Sequence, residues 1–222
     1  MIIGNGMIAN AVKSYDRNDT VFFASGVSNS LETRAAEFER EFSLLKSVYE
    51  ENKEKKLVYF STLSIHDQSK QDSAYVIHKK SVENYIENNA DSFLILRVGN
   101  VVGKGGNPNT LFNFLKTQIA GKKEFSLHLK ARRLLLDIED ISKFLDSHCL
   151  GFSNRTVNFA FPYYYDLKEI ISSIEKETGN TALYSQVDEG DFYKVDFDED
   201  TQTFFSGIHP QEYLESITRK YI

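Results

Sequence analysis

The chain has 222 residues, of which 41% are hydrophobic, and a formal net charge of −6. This length can bury one sizeable core and a small additional lobe, and the acidic balance argues against general affinity for nucleic acid. The single cysteine, Cys149, excludes an internal disulfide and fits a reducing compartment. The first residues lack the basic and apolar segments of a signal peptide or membrane anchor, so we expect a cytoplasmic protein that does not insert into membranes.

The first half of the chain alternates short apolar runs with helical segments. Such runs, separated by helices, are typical of a parallel sheet that is covered on both faces. The runs that predict strands are 2–3, 21–24, 57–60 and 93–98, and the helices predicted between them cover about 7–15, 32–52 and 73–87. In the second helix an apolar stripe is formed by Phe38, Phe42, Leu45 and Tyr49.

After Gly103 the pattern changes to shorter strands and separate helices. Predicted strands cover 125–129, 133–136 and 156–159, and predicted helices cover about 110–120, 140–148 and 210–221. A further helix is expected to begin at Asp166, which has the spacing of a capping box with Glu169. The acidic segment 188–200 is expected to be a solvated loop. This half is expected to form a small lobe packed against the strand ends of the first half.

A glycine-rich turn follows the first predicted strand. Gly4, Gly6 and Ala9 have the spacing of a dinucleotide-binding fingerprint, in which the backbone approaches a pyrophosphate at the start of a helix. The alternative is a tight turn without a ligand. The acidic residue that usually follows such a fingerprint by about 20 residues is missing, because positions 24–26 are Ala, Ser and Gly. The adenosine end of a cofactor must then be held differently or weakly.

The pair Tyr75 and Lys79 is the candidate for acid–base chemistry. A tyrosine and a lysine four residues apart share one face of a helix, and the cation favours the phenolate, so that a group with a pKa of about 10 can work near neutral pH. The same spacing occurs at 49/53 and 164/168. Only Tyr75 and Lys79 fall within a predicted helix between two buried strands. The strand before them ends in Ser61 and Thr62, where a hydroxyl faces the ligand crevice of an open α/β sheet.

Six motifs in order resemble the extended short-chain dehydrogenase/reductases, the NAD-dependent epimerase/dehydratase family that acts on nucleotide sugars. They are GNGMIA at 4–9, VFFASG at 21–26, FST at 60–62, YVIHKKSVE at 75–83, LRVGNVVG at 96–103 and RLLLDIED at 133–140. The resemblance implies an α/β fold, with a Rossmann-like doubly wound parallel sheet and a small C-terminal α+β substrate lobe. Residues 1–105 would form the dinucleotide-binding core. Residues 106–222 would form mainly the lobe, with about 131–160 returning to the core in one compact unit.

The resemblance also implies roles for individual residues. Tyr75 would be the general acid/base, Lys79 would lower its pKa and bind the nicotinamide ribose, and Thr62 would hydrogen-bond the reacting sugar oxygen. The cofactor would be NAD or NADP, contacted by Gly4, Asn5, Gly6, Met7, Ile8, Ala24, Ser25, Gly26, Tyr75, Lys79 and Val98. The nucleotide-sugar substrate would be contacted by Ser28, Leu63, Ser64, Asn100 and Arg133. Arg133 suits a phosphate through its forked donors, and no metal is implied.

The chain also departs from the family pattern. From position 6 to Thr62 there are 56 residues, too few for the usual first half, which matches the loss of a second strand, a helix and a third strand. Leu63 and Ser64 stand where the dehydratases carry an acidic pair, so dehydration is not expected. The loop from Thr62 to Tyr75 is short. His66 stands where the family usually has tyrosine, and a surface histidine is favoured over a substrate contact.

These residues favour the reduction of a keto-sugar, because that reaction needs only a hydride and a proton. An epimerase of the same family is the alternative. The alternative from another class is a non-catalytic protein that binds a dinucleotide or a nucleotide sugar with a truncated fold. The resemblance further implies a homodimer and a role in polysaccharide biosynthesis.

Overall fold

The computed structural model of the protein describes residues 1–148, 151 and 153–222, so that Cys149 lies outside the described residues. In chain order the elements are β1 (Ile2–Ile3), α1 (Met7–Ala11), β2 (Thr20–Phe23), α2 (Ala35–Glu50), β3 (Lys56–Thr62), α3 (Ala74–Asn89), β4 (Phe93–Val98), β5 (Asn100–Val102), α4 (Leu111–Ala120), β6 (Phe125–His128), β7 (Arg132–Asp137), α5 (Ile138–His148), β8 (Arg155–Phe159), β9 (Tyr164–Asp166), α6 (Leu167–Thr178), β10 (Tyr184–Val187), α7 (Glu199–Phe204) and α8 (Pro210–Tyr221).

Five strands of the described chain form a parallel sheet in the order β1, β2, β3, β4, β8. Runs of apolar residues form β1 to β4, whereas β8 alternates apolar and polar residues. The predicted α/β fold with a small parallel sheet is confirmed. β1 lies at one edge, and every step from β1 to β8 goes in the same direction. In the usual doubly wound sheet, further strands lie on the other side of the first strand. Their absence from the described sheet agrees with the short first half of the sequence.

The two faces of the sheet are covered by different helices. On one face α2 and α3 pack through Leu45 and Ile86 against residues that include Phe23 and Tyr59. On the other face the segment of α1 and helix α5 pack against residues that include Phe22. At β1–β2, as at β2–β3 and β3–β4, the chain moves to the neighbouring strand in the same direction across the sheet. Because α1 lies on the opposite face from α2 and α3, the β1–α1–β2 connection has the opposite hand to the next two connections. About 98% of such crossovers share one hand, and the exception is what the removal of strands next to β1 would leave behind.

Two smaller sheets lie outside the five-stranded sheet: β6 pairs with β10, and β7 lies between β5 and β9. The strands β5, β9 and β10 were not predicted, because their sequences, NVV, YYD and YSQV, contain no apolar run longer than two residues and no regular alternation. The acidic segment differs in part from the expected solvated loop, since Val195 is buried and residues 199–204 form a helix capped by Asp198. Among the described residues, no helix is both long and apolar enough to span a membrane.

The first turn of α6 allows the contribution of helix capping to stability to be measured. The carboxylate of Asp166 accepts from the Glu169 amide at 2.8 Å, and Glu169 accepts from the Asp166 amide at 2.7 Å, so the predicted capping box is present. Asp166→Ala is expected to lower the free energy of unfolding by about 1 kcal/mol, measured by urea unfolding. Glu177→Ala, at an exposed position late in the same helix, should change it by less than about 0.5 kcal/mol. Equal effects of the two substitutions would contradict the capping role.

Candidate active site

A cleft of about 770 Å³ opens at the carboxyl ends of the central strands. Its walls come from the turn before α1, the loop after β2, the ends of β3 and β4, helix α3 and segments of the second half of the chain. Most of the residues that were predicted to contact a ligand line it: Gly6, Met7, Ile8, Ala24, Gly26, Ser28, Thr62, Ser64, Tyr75, Lys79, Val98, Asn100 and Arg133. The topology therefore brings together residues that are more than a hundred positions apart in the chain.

Four residues of the predicted set do not line the cleft: Gly4, Asn5, Ser25 and Leu63. Gly4 has φ +122° and lies against β2, where a Cβ would come within 2.4 Å of the carbonyl oxygen of Ala24. This glycine therefore shapes the turn and lets the two strands approach. Leu63 is fully buried and packs with Leu134 and Ala160. Of the two positions that follow Thr62, only Ser64 faces the cleft.

Tyr75 and Lys79 lie one turn apart on α3, as predicted. The helix is capped by Ser73, whose hydroxyl accepts from the Val76 amide at 3.2 Å. Tyr75 is 7% and Lys79 2% exposed, and the lysine Nζ lies 5.8 Å from the centre of the tyrosine ring. The two competing spacings are not on single helices: α2 ends before residue 53, and residues 164 and 168 belong to β9 and α6.

The ammonium of Lys79 is held by a buried carboxylate that was not predicted. Lys79 Nζ donates to Glu41 Oε1 at 2.9 Å and to the Tyr59 hydroxyl at 3.0 Å, and Tyr59 donates to the same oxygen of Glu41 at 2.7 Å. The second oxygen, Oε2, accepts from the Val27 amide at 2.6 Å and lies 3.0 Å from His78 Nε2. Glu41 is completely buried. Helix α2, strand β3, helix α3 and the loop after β2 therefore meet at one charged group.

The surroundings of Glu41 decide its ionisation. Burial by itself would raise the pKa of this carboxyl, but the charge of Lys79 and the donors from His78 and Val27 lower it to about 2. For Tyr59, burial and then the charge of Glu41 raise the pKa well above its ordinary value. The centre of the cluster is thus an ionised carboxylate that accepts from a neutral phenol and an ammonium.

Two hydroxyls at the end of β3 differ in their partners. Thr62 Oγ1 accepts from the Ser64 amide at 3.1 Å, which turns the chain out of the strand. Ser61 Oγ is buried in the wall of the cleft and has no hydrogen-bond partner among the described residues. A buried hydroxyl without a partner costs free energy unless a ligand or water satisfies it, so Ser61 is a further candidate for a ligand contact, beside Thr62, which was the only one of the two given a role from the sequence.

The opposite wall carries Arg133 and Tyr193. Arg133 donates to the backbone carbonyls of Arg132, at 2.8 Å, and Asp191, at 3.3 Å, and burial lowers its pKa. For Tyr193, burial raises the pKa to about 12, although a hydrogen bond with Ser64 and the charge of Arg133 act against it. Tyr193 comes from the acidic segment and was not predicted.

Two other polar side chains near the strand ends contact the protein itself. Asn100, which lines the cleft, donates to the Leu134 carbonyl at 3.1 Å. His66 Nε2 lies 3.1 Å from Asn158 Oδ1 and is not part of the lining. In the part of the chain that the structure describes, no group of three or more His, Cys, Asp or Glu is arranged to hold a metal ion.

No family model and no curated protein matches the chain, but solved structures match its fold. A mutant of UDP-glucuronic acid 4-epimerase from Bacillus cereus, in complex with UDP-4-deoxy-4-fluoro-glucuronic acid and NAD, has a TM-score of 0.73 at 18% identity, over 96% of this chain and 77% of that chain. UDP-N-acetylglucosamine 4-epimerase from Methanobrevibacter ruminantium, in complex with UDP-N-acetylmuramic acid, has 0.72 at 16%, over 100% and 81%. dTDP-glucose 4,6-dehydratase from Bacillus anthracis, in complex with NAD, has 0.69 at 15%, over 98% and 77%. This likeness shows the fold, which is the one that the six motifs implied.

The backbone of Gly26 lies close to the ion pair of Lys79 and Glu41, and a substitution at this position tests how tightly the pair is packed. A Cβ at this position would lie 2.8 Å from Lys79 Nζ and 3.1 Å from Glu41 Oε1. Gly26→Ala is therefore expected to lower the free energy of unfolding by roughly 2 kcal/mol. Gly6→Ala is the matched control, because no atom lies within 4 Å of its added Cβ, and it should be nearly neutral. Urea unfolding of both variants measures the difference, and a stable Gly26→Ala protein would contradict the tight packing.

The low pKa of Glu41 predicts a dependence of stability on pH. The folded value of about 2 lies below the ordinary value of 4.5, so the stabilisation is fully present above pH 4.5 and is lost as pH falls from 4.5 towards 2. The difference in unfolding free energy between the natural protein and Glu41→Gln should shrink by roughly 3 kcal/mol across this window. Urea unfolding at several pH values measures it. Parallel curves for the two proteins would show that folding does not lower the pKa of Glu41.

Proposed function

We propose that the protein is a NAD(P)-dependent oxidoreductase that acts on a nucleotide-activated sugar and reduces a keto-sugar. The observation that carries this proposal is the meeting of Tyr75, Lys79 and Thr62 in one cleft, which Gly6 of the predicted phosphate loop also lines. The similar structures from Bacillus cereus and Bacillus anthracis are complexes with NAD, which supports the cofactor. The complexes with UDP-linked ligands support the class of substrate.

Features of the cleft fit the nicotinamide half of a dinucleotide better than the adenosine half. Gly6 leaves open space where a side chain would stand, and Ser61 offers a buried hydroxyl without a partner. The residues that would hold this half are Gly6, Met7, Val98, Tyr75 and Lys79. On the adenosine side, β1 is the last strand of the described sheet. The loop after β2, at 26–31, lines the cleft and is the remaining surface that could cover that part of the cofactor.

When bound, the cofactor would supply the hydride, and the protein residues would manage the substrate and the proton. Arg133 would orient the anionic diphosphate of the substrate through its forked donors. Thr62 would hydrogen-bond the reacting carbonyl oxygen. Tyr75 would donate the proton to that oxygen as it becomes a hydroxyl, which is the task of a general acid. Val98 and Met7 would shield the reacting atoms from water.

Epimerisation is the second reaction within this class. It requires, besides Tyr75, that the intermediate rotates or that another group exchanges a proton. The titratable residues of the described lining are Tyr75, Lys79, Arg133 and Tyr193, and the raised pKa of Tyr193 makes it a weak acid. This set favours reduction over epimerisation.

A non-catalytic binding protein is the candidate from another class. Two observations favour it: β1 stands at the edge of the sheet, and the ammonium of Lys79 is already paired with Glu41. Such a protein would keep the cleft for a nucleotide sugar and would bind a dinucleotide weakly or not at all. The division into 1–105 and 106–222, the homodimer and the cytoplasmic location stay predictions in either case.

Titration of the purified protein with NADH and with NADPH, followed by fluorescence, separates the two classes. Saturable binding of either is expected, and binding of neither would exclude the oxidoreductase. With a keto-sugar nucleotide as substrate, Tyr75→Phe should lower kcat by at least about 100-fold, the range of general acid catalysis, with nearly unchanged affinity for the cofactor. Tyr49→Phe is the control, because Tyr49 packs between α2 and the sheet, outside the cleft lining. A loss of cofactor binding in Tyr75→Phe would make Tyr75 structural instead.

A further inference from the structure

Lys79 reaches the cleft with most of its hydrogen-bonding capacity already used. An ammonium has three donors, and two of them serve Glu41 Oε1 and the Tyr59 hydroxyl, at 2.9 and 3.0 Å. One donor is left for a ligand. The lysine that would activate Tyr75 is therefore half of a buried ion pair, and its charge is shared with a carboxylate that the proposed mechanism does not use.

We propose that Glu41 is a positioning residue for the Tyr75–Lys79 pair: it holds the ammonium in place and offsets the positive charge that the ammonium presents to the tyrosine hydroxyl. This inference rests on the proposed function, since it takes Tyr75 as the acid/base. It adds a residue from α2, a helix that contributes no other charged group to the site.

The contacts of Glu41 explain why the ammonium cannot move. Its two oxygens are engaged from β3 by Tyr59, from the loop after β2 by the Val27 amide, and from α3 by His78 and Lys79. The backbone of Gly26 closes the remaining side, since even a Cβ there would lie 2.8 Å from Nζ. The lysine is thus fixed by four segments of the chain, whatever the cleft contains.

The charge balance follows from the same geometry. An ion pair of 2.9 Å acts on its surroundings as a dipole, whose effect falls off faster than that of a single cation. The titratable groups around this point are Glu41 from α2, Tyr59 from β3, and Tyr75, His78, Lys79 and Glu83 from α3. Across the cleft stand Arg133 and Tyr193. Removal of the carboxylate alone would leave a single cation near Tyr75 and favour its phenolate, and removal of the lysine alone would leave an anion with the opposite effect.

Helix α3, which carries Tyr75 and Lys79, also contains a residue that serves as a matched control. Glu83 is buried and paired with Arg97 through contacts of 2.6 to 3.1 Å. Neither residue lines the cleft. Glu83→Gln therefore breaks a buried ion pair of α3, and it should reproduce any loss of stability in Glu41→Gln with a much smaller effect on Tyr75.

The test follows the ionisation of Tyr75 in the protein without added cofactor. Tyrosinate absorbance is titrated in each background with and without Tyr75→Phe, and the difference gives the midpoint of Tyr75. In Glu41→Gln the midpoint should fall by roughly 1 pH unit. In Lys79→Gln it should rise, and in the double variant it should return close to the natural value, because the pair is removed as a whole. Glu83→Gln should change it much less than Glu41→Gln, because Glu83 is paired with Arg97 and is the smallest of the charge effects at Tyr59.

Circular dichroism shows which variants fold. If Glu41→Gln does not fold, the titration midpoints of Tyr75 in Lys79→Gln and in the double variant still test the proposal. An unchanged or raised midpoint in Glu41→Gln, or a double variant that behaves like Lys79→Gln, would overturn the proposal. In the reductase assay, the alkaline limb of the pH–rate profile of Glu41→Gln should shift in the same direction, because a general acid loses activity as it deprotonates. If the natural protein binds neither NADH nor NADPH while the midpoints still shift as stated, the proposed function fails and the role of Glu41 at Tyr75 stands.

Discussion

A charged group inside a protein must be met by partners, because its removal from water otherwise costs several kcal/mol. The carboxylate of Glu41 on α2 meets this requirement through four residues of three other segments: Val27 of the loop after β2, Tyr59 of β3, and His78 and Lys79 of α3. Hydrophobic packing between α2 and α3 would allow some sliding along the sheet. Directed hydrogen bonds at a single point do not, and so they set where α3 stands relative to the strand ends. The cleft takes its shape on this side from that fixed point.

The shortened sheet is the second constraint. The connection from β1 to β2 keeps its helix on the face of α5 and has the hand opposite to that of the two connections that follow. Such a connection is rare in folds built from the start as a regular crossover. It is understandable when α1 keeps its packing against α5 while the strand to which it once led is missing. The glycine-rich turn before α1 thus lies next to the strand ends although β1 is the edge strand of the described sheet.

Much of this could be predicted from the sequence, because buried parallel strands are continuous apolar runs and the motifs lie at their ends. The short strands β5, β9 and β10 could not, since their residues show neither a longer apolar run nor a regular alternation of apolar and polar side chains. Glu41 was missed because it stands in a charged stretch with Glu39 and Arg40. Its position did hold a signal: it lies three residues after Phe38 and four before Leu45, on the stripe that faces the sheet. The residue that pairs with the Glu41 carboxylate, Lys79, lies 38 residues away in the chain, so the local pattern does not identify it.

The shortness of β1 has a consequence for solubility. A sheet that loses its outer strands usually exposes a row of unpaired backbone groups, on which other chains can add and aggregate. Here the exposed strand has two residues, Ile2 and Ile3, and the surface beside it carries Lys13, Arg17 and Lys55. Charged side chains and a very short edge are both known protections against such pairing. The edge at β1 is therefore poorly suited to the addition of a strand from another chain.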